Sequence, residues 1–308
     1  MIARRRSATL SSVFDFRYHV ASLIAVFIAL VIGILIGIGL SGKGFVSDAE
    51  RKNLEHEISA LTSDRDSARA QLAVVTRRQA ATAHYADQTY LALVKSRLDK
   101  QRIGVVFLGS VNGTIKTAVT QAVHAASGRV LRLRALRTPI DDKAIQRIVA
   151  SRPALREYAG ADHLRDLGHD IGVELVAGGK TPLLDALGDV LLEERDGGGQ
   201  APVDGVVVSR TAPPQQGSTH EFLMGLYAGV ASAGVPAVGV ERTSPATSAI
   251  KAFVRGGLST VDSIETSAGR LALVLELAGA GSGHFGVEPT ATSGLLPPVT
   301  PLTVTTGG

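Results

Sequence analysis

The sequence predicts an α/β protein with three parts: a single N-terminal transmembrane helix, a coiled-coil stalk, and a Rossmann-like domain with a parallel sheet. Three observations support this fold class. Residues 20–40 are apolar except for Ser22, no glycine or proline interrupts residues 45–101, and short apolar runs alternate with amphipathic stretches from residue 102 onward. Such runs are typical of buried parallel strands joined by helices.

The apolar segment at residues 20–40 is long enough to cross a membrane as a helix. About 20 apolar residues span a hydrocarbon core, whereas the apolar region of a signal peptide has only about 7–15. We therefore expect a retained anchor. Arginines precede it at positions 4–6, and the positive-inside rule places this basic N-terminus, residues 1–19, in the cytoplasm. The prediction is a single-pass inner (plasma) membrane protein whose main domain is extracytoplasmic.

Small residues recur at every fourth position of this span. They are Ala21, Ala25, Ala29, Gly33, Gly37 and Ser41. This spacing puts them on one face of a helix, where a second membrane helix can approach closely. Alternatively, glycine and alanine are simply common in membrane helices. We interpret the face as a helix–helix interface.

Residues 45–101 predict a long helical stalk. Its apolar residues follow the four-and-three spacing of a heptad seam, with Arg65 as a misfit; they are Leu54, Ile58, Leu61, Ala68, Leu72 and Val75. This pattern favours a coiled coil, although an amphipathic helix packed on its own domain would share it. Span and stalk together predict a parallel homodimer. Its interface would include Ala25, Ala29, Gly33, Gly37, Leu54, Ile58, Leu61 and Leu72.

The segment 102–286 predicts a doubly wound α/β domain. We expect strands at residues 103–108, 130–133, 205–208 and 235–240, and helices at 115–126, 219–232, 246–255 and 267–278. Residues 138–194 are expected to be mostly helical, and residues 195–202 to form a surface loop. The tail, residues 287–308, is rich in threonine, proline and glycine, and is expected to be disordered.

Few residues of this domain suggest catalysis or a cofactor. The chain has no cysteine and two methionines, which excludes thiol catalysis and zinc–thiolate sites and leaves no series of Cu(I) ligands. The loop at residues 109–117 matches neither GxGxxG nor the P-loop spacing, so we interpret it as a glycine turn between strand and helix. Neither GxSxG nor HExxH occurs. We therefore expect no enzyme activity, no metal site and no bound cofactor.

Two groups of charged residues have structural interpretations. Arginines at positions 129, 132, 134 and 137 alternate with aliphatic residues, and we interpret them as a solvated strand edge. A nucleic-acid site would need aromatic stacking partners or a recognition helix. Asp262 and Glu265, with Arg270 nearby, occur where one element ends and the next helix starts, and capping or an ion pair explains them.

Motifs at both ends of the chain resemble those of a known family. They are FDFRYHVASL at residues 14–23, GILIG at 33–37, LSTVDSIE at 258–265, SAGRL at 267–271 and GHFG at 283–286. They are similar to motifs of the mycobacterial copper transport protein B (MctB) family. The resemblance implies a role in copper homeostasis or transport in actinobacteria. It makes Asp262, Arg270 and His284 family-motif candidates, with His284 a weak candidate for a metal ligand.

Two functional hypotheses follow. The first is a membrane-anchored, non-enzymatic protein that assists copper transport, since a single helical span is not a pore; copper as a ligand comes only from the resemblance. The second is a dimeric adaptor of the cell envelope, acting at the septum or in cell separation. Both hypotheses expect a second copy of the chain, membrane lipid and an envelope or cytoplasmic protein as partners. Neither expects nucleic acid.

Overall fold

The computed structural model describes residues 13–41, 48–198 and 201–300, which belong to two compact units. The first unit, Met1–Arg78, contains helix α1 (Val13–Ser41) and the larger part of helix α2 (Asp48–Val94). The second unit begins at Gln79 and contains the end of α2 and the α/β domain. The arginines at positions 4–6, on which the predicted orientation rests, lie outside the described residues.

Helix α1 has the length and composition of a membrane span. Its segment Tyr18–Gly39 has 22 residues and a mean hydropathy of 3.0, and none of it is buried. A Cβ added at Gly33 or Gly37 would meet nothing within 4 Å. The small-residue face is therefore open in the single chain.

Helix α2 carries the predicted apolar seam on its exposed surface. Leu54, Ile58, Leu61 and Leu72 are each between 51% and 65% exposed. The last turns differ from this pattern, because Tyr90 and Val94 are buried in the core of the second unit. The helix ends at Val94, and turns lead to the first strand. The interval 45–101 thus contains both the seam and residues of the α/β core.

The second unit is built on one seven-stranded sheet with the strand order β3-β2-β1-β4-β5-β6-β7. Its strands are β1 (Arg102–Leu108), β2 (Arg129–Leu136), β3 (Leu192–Asp196), β4 (Gly205–Arg210), β5 (Ala237–Val240), β6 (Ser259–Val261) and β7 (His284–Phe285). Every pairing is parallel except that of β2 with β3. The chain reverses its direction of winding between β1 and β4, which confirms the predicted α/β fold class.

Helices cover both faces of the sheet. They are α3 (Gly113–Ala125), α4 (Asp142–Ser151), α5 (Leu164–Ala177), α6 (Pro182–Leu191), α7 (Gly217–Ser232), α8 (Ile250–Arg255) and α9 (Ser267–Leu277). One aliphatic core joins α3, α9 and the end of α2 to the sheet. A second aliphatic core joins helices α4, α5, α6, α7 and α8 to the opposite face of the sheet. Helices therefore cover the apolar side chains that the strands carry on both faces of the sheet.

Helices α5 and α7 pack on each other backbone to backbone. A Cβ added at Gly172 of α5 would lie 2.5 Å from the carbonyl oxygen of Leu226 on α7. One added at Gly168, Gly225 or Gly229 would overlap the main chain of the partner helix. Both helices therefore carry a GxxxG pair, which allows this close approach. From the sequence, this spacing predicted a helix–helix contact only in the membrane span.

Several predicted boundaries were wrong. Residues 192–196 form strand β3, although the expected helical segment ran to residue 194 and the expected loop began at 195. This strand is polar because only its first residue is buried, so it has no apolar run to detect. Helix α8 begins at Ile250 rather than at residue 246. Residues 199–200 of the expected loop lie outside the described part of the chain.

The segment after β7 differs from the predicted disorder. Main-chain hydrogen bonds join Ser293 N to His284 O at 2.9 Å and Gly286 N to Gly294 O at 3.0 Å. Pro297 is buried. Residues 287–300 thus fold back along the edge of the sheet, and residues 301–308 lie outside the described residues.

Candidate functional site

The carboxyl edge of the parallel strands is the first place to look for a site, because doubly wound folds bind ligands there at the switch point. In this chain the loops after β1 and β4 fill that position. Gly109 has φ +100, and a Cβ there would lie 2.8 Å from Thr211 Oγ1. Thr211 N and Ala212 N both donate to Leu108 O at 3.0 Å. The main chain therefore occupies the crevice.

The helix that follows this loop begins with its own cap. Asn112 is the N-cap of α3, and its side-chain oxygen accepts a hydrogen bond from Ile115 N at 3.1 Å. The Nζ atom of Lys116 lies 3.7 Å from Oδ2 of Asp196, on strand β3. The loop has the connecting role that its glycine pattern predicts.

Asp262 is the central group of the closing motif, the name used here for residues 258–271 and 283–286, which carry the family resemblance near the C-terminus. It follows β6 directly and is 1% exposed. Its carboxylate accepts hydrogen bonds from Ser263 Oγ at 2.8 Å, Val287 N at 2.9 Å and Glu288 N at 3.1 Å. A Cβ at Gly286 would overlap this carboxylate. Asp262 therefore clamps the segment after β7 to the end of β6.

Two glutamates beside Asp262 also bind main-chain amides. Glu241 follows β5 and accepts from Ser248 Oγ and Ala249 N, both at 2.8 Å. Burial raises the pKa of Glu241, and these hydrogen bonds oppose the shift. Glu265 accepts from Thr243 N at 3.0 Å. The acidic residues of this edge thus hold loops in place.

Arg270 joins the closing motif to the end of the long helix. Its guanidinium donates to Glu265 O and Ser267 Oγ, both at 2.9 Å, and lies 5.4 Å from the centre of the Tyr90 ring. Ser267 Oγ in turn donates to Asp87 Oδ1 on α2. Capping or an ion pair was expected here; Arg270 makes this chain of contacts instead, and Asp262 and Glu265 accept hydrogen bonds from main-chain amides of loops. The motif anchors the last turns of α2 on α9.

Changing Asp87 tests this anchor. We expect Asp87→Ala to increase amide hydrogen exchange in residues 86–94 by roughly tenfold, since a hydrogen bond to a charged acceptor contributes about 1.5 kcal/mol or more. Hydrogen exchange with mass spectrometry on the full chain in detergent measures this. Gln88→Ala, an exposed change on the same turn, should leave exchange unaltered. Equal exchange in the Asp87 and Gln88 variants would contradict the role of the contact.

His284 is the first residue of β7 and pairs with Thr260 of β6. Its Nδ1 is 3.1 Å from Thr260 Oγ1, and its side chain lines a surface hollow of about 510 Å³ together with Ile250 and Val254. Across residues 13–41, 48–198 and 201–300, no three His, Asp or Glu side chains stand close enough to hold one metal ion. Asp262, Arg270 and His284 bind different groups: Asp262 the amide of Val287, Arg270 the main chain of Glu265, and His284 the hydroxyl of Thr260.

Glu276, on α9, is a buried acid that no sequence motif indicated. It is 3% exposed, and its Oε1 has no hydrogen-bond partner among the described residues. Burial raises its pKa to about 7, and a hydrogen bond with Ser259 partly opposes this. It lines a cavity of about 310 Å³ at the amino edge of β5 and β6. The helical periodicity around Glu276 gives no sign of its burial.

The comparisons with known proteins agree with these motifs. A family model described as copper transport outer membrane protein, MctB, matches residues 13–296. A search of curated proteins finds no match. The matched region begins with α1 and ends in the segment that Asp262 clamps, so it contains nearly every element described above. Because the model covers far more than half of the sequence, the chain belongs to the MctB family of copper-transport-related membrane proteins.

Proposed function

We propose that the protein is a membrane-anchored, non-enzymatic accessory component of copper homeostasis. The family match supports the copper role, and the observation that supports an accessory role is the use of the closing motif. Asp262, Thr266 and Arg270 bind main-chain or side-chain groups of the same chain, so the motif shapes the domain and its connection to α2. Such a domain is suited to presenting a surface to other proteins. The described residues contain one candidate span, and this supports an accessory role, because a route for copper would come from a partner.

The proposed location is the inner membrane, with the N-terminus in the cytoplasm and the α/β domain outside. The support is the apolar segment Tyr18–Gly39 and the basic residues that precede it. The family description names an outer membrane. A helical anchor of this length fits a bilayer that accepts single helices, which is why we propose the inner membrane.

We further propose that the chain forms a parallel homodimer through α1 and α2. The small-residue face of α1 is open at Gly33 and Gly37, and the seam of α2 exposes large apolar side chains. The α5–α7 pair demonstrates how closely helices pack in this chain when glycines recur at four-residue spacing. Pairing both helices would remove the exposed seam from water.

Placing a charge in the seam tests the dimer. We expect Ile58→Asp combined with Leu61→Asp to shift the full chain in detergent from dimer to monomer, because each buried carboxylate without a partner costs several kcal/mol. Sedimentation velocity in density-matched detergent measures the mass. Ser63→Asp adds a single carboxylate on the opposite side of the helix and should remain dimeric. A monomeric wild-type chain would contradict the proposal.

A deletion strain tests the copper role against the alternative, a dimeric adaptor at the septum. The exposed apolar seam of α2 and the small-residue face of α1 support the adaptor as well as the copper role, since an adaptor also needs a stable dimer. We expect deletion to increase copper sensitivity without altering cell separation, and the wild-type gene to restore tolerance. Chained cells with normal copper tolerance would instead support the adaptor, as would a purified protein without copper affinity.

A further inference from the structure

Three arginines lie on one face of the sheet where β2 meets β3. Arg134 and Arg195 are direct cross-strand partners in this antiparallel pair. Arg132 and Arg134 pair with Gly104 and Val106 of β1, so both belong to the face covered by α5 and α6. Like charges placed opposite each other destabilise a strand pair. This edge therefore carries an electrostatic cost that a bound anion would remove.

The solvated edge predicted from the sequence is wrong for Arg132. This residue is 6% exposed, and its Nε has no hydrogen-bond partner in the described part of the chain. One terminal nitrogen donates to Ala201 O. Burial lowers the pKa of Arg132, and Arg102 lowers it further. A buried guanidinium with an unused donor usually has an oxyanion partner.

Arg134 and Arg195 have little compensation from carboxylates. Arg134 donates to the main-chain oxygens of Leu133 at 2.8 Å and Asp196 at 2.9 Å. Burial lowers its pKa, Arg132 and Arg195 lower it further, and Asp196 opposes them. Arg195 has one ion pair, with Asp189 at 3.1 Å, and is exposed. The face is therefore deficient in negative charge.

These arginines line a small cavity. Its volume is about 120 Å³, and the connection between α5 and α6 forms the opposite wall with Gly178, Gly179 and Thr181. Asp185 also lines it, but its Oδ1 accepts from Thr181 Oγ1 at 3.2 Å. The space suits a group of a few heavy atoms and is too small for a nucleotide.

We propose that this cavity binds the tetrahedral oxyanion of a phosphate group, held by Arg132 and Arg134 with Arg195 at its exposed side. Guanidinium groups match such oxyanions with paired N–H donors. The phosphate is either free in solution or the ester of a larger ligand such as a lipid headgroup. The site is independent of the copper role, because its three guanidinium groups, which outnumber the one carboxylate that lines it, are not ligands for Cu⁺ or Cu²⁺.

Thermal unfolding of the full chain in neutral detergent tests the site. Inorganic phosphate is expected to raise the unfolding temperature more than chloride at the same ionic strength, since a ligand of the native state stabilises it by mass action. Titration calorimetry then gives the affinities for inorganic phosphate and for glycerol 3-phosphate. Tighter binding of the ester identifies an ester as the source, and equal binding identifies free phosphate.

Variants separate the site from general charge effects. Arg134→Gln is expected to weaken phosphate binding by about tenfold or more. Arg134→Lys should weaken it less, because lysine keeps the positive charge but lacks the paired N–H donors of the guanidinium group. Arg147→Gln removes an exposed arginine from α4 and should leave binding unchanged. The proposal is overturned if phosphate raises the unfolding temperature no more than chloride does. It is also overturned if Arg134→Gln and Arg147→Gln weaken phosphate binding equally. Arg132→Gln is secondary, because it disturbs a buried residue.

Discussion

Gly229→Ala is expected to destabilise the α/β domain by about 3 kcal/mol or more, at the upper end of the cost of overpacking a core. A methyl group at this position would overlap the main chain of His169 on α5. Main-chain atoms cannot rotate away as a side-chain end can, so the two helices would have to separate. Separation would also loosen the aliphatic contacts that Ile171 and Leu226 make in the same core.

Chemical denaturation of the full chain, followed by circular dichroism, measures this loss. Gly113→Ala is the matched control: it is also a helical glycine, but a Cβ there meets nothing within 4 Å. It should be neutral or slightly stabilising, because alanine favours the helix. Adding Gly225→Ala to Gly229→Ala should cost less than the sum of both, since the first change already separates the helices. Unaltered stability in Gly229→Ala would show that the helices pack less closely.

Between pH 4.5 and 7, Glu276 is expected to lower the free energy of unfolding by roughly 3 kcal/mol, at about 1.4 kcal/mol per pH unit. The variant Glu276→Gln should lack this pH dependence. Burial raises the pKa of this carboxyl from 4.5 to about 7 in the folded chain. Between these values the folded state holds a proton that the unfolded state has released. The free energy of unfolding therefore falls as pH rises through this window, and is constant above it.

The measurement is the difference in unfolding free energy between wild type and variant from pH 4 to pH 8. Taking the difference isolates Glu276 from other buried acids such as Glu241, whose raised pKa contributes a slope of the same sign. We expect the two proteins to be about equally stable at pH 4.5 and the variant to be more stable above pH 7. Glu193→Gln, at an exposed position on β3, should follow wild type throughout. A constant difference across the range would mean that Glu276 is ionised in the fold.

The periodicity of the sequence was sufficient for the main elements. Continuous apolar runs such as those at β1 and β4 are typical of strands buried on both sides, and the helices between them show one apolar face. The weak elements were missed for a physical reason. Strand β3 exposes four of its five residues, and β7 has two residues, so neither has a pattern of its own. Their pairing partners define them.

The glycine motifs illustrate the limit of local patterns. The same four-residue spacing occurs at Gly33 and Gly37, where nothing lies within 4 Å, and at Gly225 and Gly229, where a partner helix does. Spacing indicates that a close approach is allowed. It does not identify the surface that approaches, because that surface comes from another part of the chain or from a second copy.

Charged residues show the same limit. Asp262 and Arg270 stood out through the family motif, but their partners are distant in sequence: Asp262 binds amides 25 and 26 residues away, and Ser267 beside Arg270 reaches Asp87 across 180 residues. Arg132 was predicted to be solvated and is buried, and no sequence pattern indicated the burial of Glu276. Burial depends on which elements cover a residue, and no window of neighbouring residues contains that information.

The sequence by itself determined the apolar span, the exposed seam, the α/β alternation and the family, because each depends on residue types at short spacing. Only the tertiary structure decided that the closing motif joins α9 to the end of α2, that α5 and α7 meet through glycines, and that three arginines share one cavity. These features depend on contacts between residues that the chain separates widely and the fold brings together.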